Sequence, residues 1–202
     1  MFLTALNTIL QKEGFYSNIK SDTGGETYQG ISRNNWPNWP GWQIIDKNKP
    51  LKQNQKIDSS ELKTMVAAFY KVNFWNKIQA DKFKNVSVAT LVFDHAVNAG
   101  TGSAIRLLQN VLNNNFNANL KIDGVIGPKT LQAVNSSDQV KLFASYKLAR
   151  ENFYKNIVNN NPSQNIFLQG WLNRVASFAF NPGNIATGLL AILGLIFILN
   201  KK

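Results

Sequence analysis

The 202-residue sequence contains no cysteine and a single histidine, His95. The first absence excludes disulfide scaffolds, thiol nucleophiles and thiolate metal sites. The second excludes a polyhistidine metal centre and would force any serine triad through one imidazole. No metal and no cofactor are expected. Acids are scarce as well, 11 against 22 Lys and Arg, for a net charge of +11. Such an excess suits an anionic partner, whether nucleic acid, membrane surface or cell-wall polymer. The lysines are scattered, and no helix-turn-helix, zinc module or basic stripe is visible, so no nucleic-acid partner is expected. The N-terminus has no basic stretch ahead of a long apolar run, so it does not read as a secretory signal.

What is present is 44% hydrophobic and 11% aromatic, the composition of a globular chain. Phe2, Leu3, Leu6, Ile9 and Leu10 fall on one helical stripe, predicting a helix over residues 2–12 that ends near Gly14. Residues 15–32 mix strand formers with an Asp-Thr-Gly-Gly turn and predict a small hairpin. The prolines of the three-tryptophan segment 34–42 argue against a regular element there. Asp58-Ser-Ser-Glu61 reads as a capping box opening a helix through about Trp75. Further helices are predicted over 86–99, 102–113, 128–134 and 138–158, with a short one around 171–179. Of the 28 asparagines, those in 113–119 and 159–165 cluster as polar loops. Residues 185–199 form a continuous apolar or small run followed by Lys201 and Lys202. A helix apolar on all faces predicts a membrane anchor, with the two lysines on the interior side.

With eleven acids, elimination is practical. Asp58, Glu61 and Asp138 suit helix starts, and Glu151 lies four residues from Lys147 and Lys155. Asp46 and Asp81 read as loop acids, and Asp123 before Gly124 as a turn. Asp94 is either a packing polar group or part of a groove, and His95 a polar core residue. Glu13, Asp22 and Glu26 remain, all within fourteen residues. Glu13 sits on the apolar stripe at a helix end, where desolvation favours a neutral acid, and Asp22 in a polar turn stays ionised. One protonated and one ionised carboxyl is the pair that glycosidic hydrolysis needs.

The segments Glu13-Gly-Phe-Tyr and Asp22-Thr-Gly-Gly-Glu-Thr-Tyr-Gln-Gly-Ile-Ser32 resemble the signature of the glycoside hydrolase family 108 N-acetylmuramidases. Phe93-Asp-His-Ala-Val-Asn-Ala-Gly100, Asp123-Gly-Val-Ile-Gly-Pro-Lys-Thr130 and Trp171-Leu-Asn-Arg174 resemble later blocks of that family, in the same order. The resemblance covers residues 1 to about 175. It departs at Phe15, where a second glycine is usual, and in the stretch 36–57. It implies a mainly α, lysozyme-like fold with a small hairpin, to which the sequence adds an apolar C-terminal helix. Residues 1–85 are the expected catalytic region, 86–175 the peptidoglycan-binding region and 176–202 the tail.

By this resemblance Glu13 is the catalytic acid that protonates the bond between N-acetylmuramic acid and N-acetylglucosamine. The nine-residue step to Asp22 is also similar to phage-type lysozymes, whose pattern of Glu at a helix end, then Asp, then Thr across a hairpin implies that Asp22 orients or activates water. The third position of the pattern falls on Thr27 by type and on Tyr28 by counting. Glu26, Trp36 and Asn98 are the remaining candidate substrate contacts. The expected setting is lysis of a bacterial wall by a phage, with the protein membrane-associated through residues 185–199 and the host cytoplasm as the alternative. A lytic transglycosylase and a non-catalytic wall-binding virion protein are the rival functions.

Overall fold

The computed structural model describes residues 1–18 and 25–182, which fall into two compact units, Met1–Asp81 and Lys82–Lys202. The first unit opens with α1 (Phe2–Glu13), whose Ala5, Leu6 and Ile9 are buried as the stripe requires. A three-stranded antiparallel sheet follows: β1 (Tyr16–Ser17), β2 (Thr27–Tyr28) and β3 (Ile31–Ser32), with Tyr28 opposite both Tyr16 and Ile31. The hairpin expected for 15–32 is thus the β2–β3 half of a slightly larger sheet.

The proline-rich segment does contain a helix, α2 (Gly41–Lys47), contrary to expectation. Pro40 precedes it as N-cap with φ −63°, so the ring supplies a helical dihedral just where no amide donor is needed. Trp42 and Ile45 are buried on its inner face. The next helix, α3 (Ser60–Tyr70), is capped by Ser59, whose hydroxyl accepts from the Leu62 amide, while Asp58 pairs with Lys63. From Lys71 to Trp75 the chain winds as a π-helix, and the fully buried Trp75 meets the Phe2 ring at 5.4 Å.

The second unit holds α4 (Val86–Ala99), α5 (Thr101–Phe116), α6 (Pro128–Ser136), α7 (Gln139–Asn160) and α8 (Asn165–Ala176). Ten consecutive residues of α4, Ser87 to Ala96, are buried, and α5 and α7 pack on it. A helix buried all round must neutralise any charge it carries. Asp94 accepts from Arg150 of α7 at 2.6 Å and from Arg174 of α8 at 2.7 Å, so one carboxylate ties three helices together. It is therefore a packing group. Beside it, His95 Nδ1 lies 2.8 Å from Tyr146 Oη. Because Tyr146 donates its one proton to the Ala104 carbonyl, His95 Nδ1 is the donor of that pair.

After α8 the chain stays packed: Phe178 is buried, and the Asn181 amide donates to Ser87 Oγ at 2.9 Å.

The expectation of a membrane-associated protein is corrected here. Among the described residues no helix is long and apolar enough to cross a membrane. The most apolar, α4, has 14 residues and so spans about 21 Å against the roughly 30 Å of a hydrocarbon core. The 22 residues of α7 suffice in length but carry lysines, Arg150 and Glu151. The run 185–199, on which the expected apolar C-terminal helix and the bilayer contact rested, lies outside the described residues.

Burial, reinforced by Arg150, pushes the His95 pKa down to about 3. An unfolded histidine titrates near 6.5, so the unfolded chain binds a proton that the native chain refuses. Stability should therefore fall as the pH drops from about 6.5 toward 3, by up to about 1.4 kcal/mol per unit. Burial opposes the charge on Asp94, but Arg150 and Arg174 outweigh it and hold the carboxyl low, so its contribution is lost only below about pH 3.9. Urea midpoints between pH 6 and 4.5 should slope in the native sequence and flatten in His95→Gln. An equal slope in both would contradict the assignment.

Candidate active site

Glu13 is the last residue of α1 and is half-buried. The chain leaves the helix through Gly14, whose φ of +67° only glycine adopts without strain. Phe15 takes no left-handed angle, so the side chain at the position where a second glycine is usual is accommodated. Asn54 clamps this exit: its side chain accepts from the Phe15 amide at 2.9 Å, and its own amide donates to the Tyr16 carbonyl at 2.7 Å. The backbone just after Glu13 is thereby held by a residue forty positions away in the chain.

Facing the carboxylate is the turn between β2 and β3. Gln29 and Gly30 both have positive φ, +46° and +78°, as a two-residue hairpin of this hand demands. Gln29 lacks the freedom of glycine, and its backbone is held at both ends. Its amide donates to the Phe15 carbonyl at 3.0 Å, and its carbonyl accepts from Tyr70 Oη at 2.7 Å. A Cβ at Gly30 would stand 2.8 Å from Glu13 Oε2 and 2.7 Å from Tyr70 Oη. The missing side chain is what lets the acid and the phenol approach the turn.

Glu26, left free by elimination, is engaged. Its carboxylate pairs with Arg33 and Lys49 at 2.8 Å each and accepts from Tyr16 Oη at 2.9 Å. Arg33 and Lys49 also hold Asp46, whose carboxyl the Arg33 hydrogen bonds, followed by those of Lys49, keep below the usual range. The four charges join β2, β3 and α2, and Arg33 lies 4.4 Å above the Trp42 ring. Asp46 is thus a helix residue in an ionic network rather than a solvated loop acid. Asp22 lies outside the described residues.

Thr27 and Tyr28 alternate across the sheet. Tyr28 is 2% exposed with its hydroxyl accepting from the Ile57 amide, whereas Thr27 is half-buried. Among the tryptophans, Trp39 and Trp42 are core, and Trp36 is 37% exposed with its ring edge-on to Phe69 at 4.9 Å. Trp36, Phe69 and the amides of Asn35, Asn38 and Asn73 line a hollow of about 360 Å³. A second hollow of about 670 Å³ is lined by Leu6, Leu10, Gly14, Tyr28 and Ile57 and reaches the residue after Glu13. Asn98 is exposed in the last turn of α4, in the second unit, and donates to the Asp94 carbonyl.

Two residues of the site escaped sequence reasoning. Tyr70 shares helical spacing with Phe69 and Phe74 and reads as core, yet a buried phenol needs a partner and so carried a signal. Asn54 carried none.

Replacing Tyr70 by Phe should cost about 1 kcal/mol through the lost bond to Gln29. Gly30→Ala should cost more, because it adds backbone strain to a clash with both oxygens. Urea unfolding checks both, and an unimpaired Gly30→Ala protein would contradict the close approach.

Residues 6–100 match the family described as Glycosyl hydrolase 108, and residues 103–176 match one described as Predicted Peptidoglycan domain. Among solved structures, SagA of Brucella abortus is similar with a TM-score of 0.57 at 23% identity, over 90% of this chain and 97% of that one. That likeness speaks to the fold. A comparison with curated proteins finds no match.

Proposed function

We propose that Glu13 is the general acid of a peptidoglycan hydrolase, acting on the β-1,4 bond between N-acetylmuramic acid and N-acetylglucosamine, a reading supported by the match of residues 6–100 to the glycosyl hydrolase 108 family and of residues 103–176 to a peptidoglycan domain. The observation that carries this is the placement of the Glu13 carboxylate against the Gly30 turn and Tyr70, within the hydrolase domain. In hydrolysis the acid gives its proton to the leaving glycosidic oxygen as the C–O bond breaks, and water adds to the anomeric carbon. Asp22, nine residues on, has the spacing of the water-orienting partner in this reading.

Thr27 is better placed than Tyr28 to meet substrate, since Tyr28 is buried and its hydroxyl already accepts from the Ile57 amide. The exposed face of Trp36 suits a sugar ring, with the neighbouring amides available to its hydroxyl and N-acetyl groups. Glu26 acts by ordering the sheet through Arg33 and Lys49. Asn98, exposed in the last turn of α4, stays among the proposed substrate contacts. In the proposed division of labour residues 1–85 carry the chemistry, 86–175 hold the wall and 176–202 form a tail. The match to the hydrolase family runs on through α4 to residue 100.

Release of reducing ends from purified sacculi should fall about 10²- to 10⁴-fold in Glu13→Gln. Retention of the native rate would refute the assignment. Mass spectrometry of the released fragments separates hydrolysis from transglycosylation, because the latter leaves 1,6-anhydro ends. Trp36→Ala should raise KM more than it lowers kcat, as loss of a stacking contact made equally before and during reaction does.

A further inference from the structure

The second unit carries a concave surface to which the hydrolytic chemistry itself assigns no residue. Between α5 and α6 the chain from Asn117 to Gly127 has no regular structure, yet amide side chains hold it firmly. Asn113 bonds both backbone groups of Leu120, at 2.7 and 2.8 Å. Gln109, 1% exposed, donates to Asp123 Oδ1 and the Val125 carbonyl and accepts from the Gly124 amide. The loop frames two adjoining hollows of about 510 and 440 Å³ that share Leu120 and Lys129.

The chemistry of this trough is that of a small acidic peptide's complement. Its floor is the half-buried Leu120 and Ala133, with Val125 and Pro128 exposed at the edge and Asn119, Gln132, Ser136 and Ser137 polar beside them, and Phe116 is the only aromatic ring lining either hollow. Lys121 and Lys129 stand exposed on its rim, and Asp123 offers one acceptor carboxylate beside them. Neutral N-acetyl sugars favour broad exposed ring faces, and the one ring here, Phe116, is only partly exposed. Peptidoglycan stem peptides instead combine alanine methyls, two or more carboxylates and a diamino acid.

We propose that this trough binds the stem peptide of peptidoglycan, with alanine methyls on the aliphatic floor, carboxylates on Lys121 and Lys129, and the diamino acid's ammonium at Asp123. It rests on reading the chain as a peptidoglycan hydrolase. The surface would then grip the substrate by a part the hydrolytic chemistry does not touch.

The test is titration of the full-length protein with synthetic N-acetyl-alanyl-γ-D-glutamyl-lysyl-D-alanine, acylated at its N-terminus as in the wall, followed by amide shifts or calorimetry, with N-acetylchitotetraose as the glycan probe. The peptide has no glycosidic bond, so its binding is independent of whether Glu13 is catalytic, which reducing-end release from sacculi decides separately. Saturable peptide binding, weakened at least about tenfold in Lys121→Glu/Lys129→Glu and by 0.5 M salt, is expected. Ala133→Phe, which fills the floor and leaves the charges in place, should weaken it too. Absence of peptide binding at millimolar concentration would overturn the proposal. So would unchanged binding in both variants, or competition by the chitotetraose.

Discussion

The turn at Gln29–Gly30 is the constraint on which the first unit's chemistry depends. A two-residue hairpin needs left-handed backbone at both central positions, and Gln29 adopts it only because hydrogen bonds at its amide and its carbonyl hold it there. One of those bonds comes from the segment just after Glu13 and the other from Tyr70 on α3. The same contacts that stabilise the turn thus bring the helix end, the sheet and α3 to one point. Gly30 leaves that point open, and Glu13 occupies it.

Around this turn the scarce acids are sorted by partner. Glu26 and Asp46 are shared between Arg33 and Lys49, which draws α2 against the sheet and places the tryptophan segment. Trp39 and Trp42 pack inward at right angles to each other, leaving Trp36 as the ring that faces solvent. Ionic pairing near the surface contributes modestly to stability, and its greater effect is to set the geometry of these short elements.

The second unit solves a different problem. Burying α4 on all sides gives a rigid spine but leaves Asp94 and His95 without water. Asp94 is answered by two arginines from separate helices, and His95 by a neutral ring bonded to Tyr146. Removing one member of such a triad leaves an uncompensated charge, at a cost of about 3–5 kcal/mol, so the cluster also specifies how α7 and α8 dock.

Much of the helical architecture was legible because its signals are local. The α1 stripe, the helix beginning at Val86 after Asn85, the Pro128 start and the Asp138 cap all depend on residues within one or two turns. Scarcity of acids, with the Glu13 position on that stripe, likewise singled out the residue now placed against Gly30. What the sequence could not decide was pairing across distance. Whether Glu26 was free, whether Asp94 faced a groove, which tryptophan stayed exposed, and that Asn54 and Tyr70 would frame the acid all depend on side chains that meet from far along the chain. Local propensity and spacing carry no information about such meetings. Tertiary packing decides them, because a buried charge or a left-handed turn persists only where distant partners converge to satisfy it.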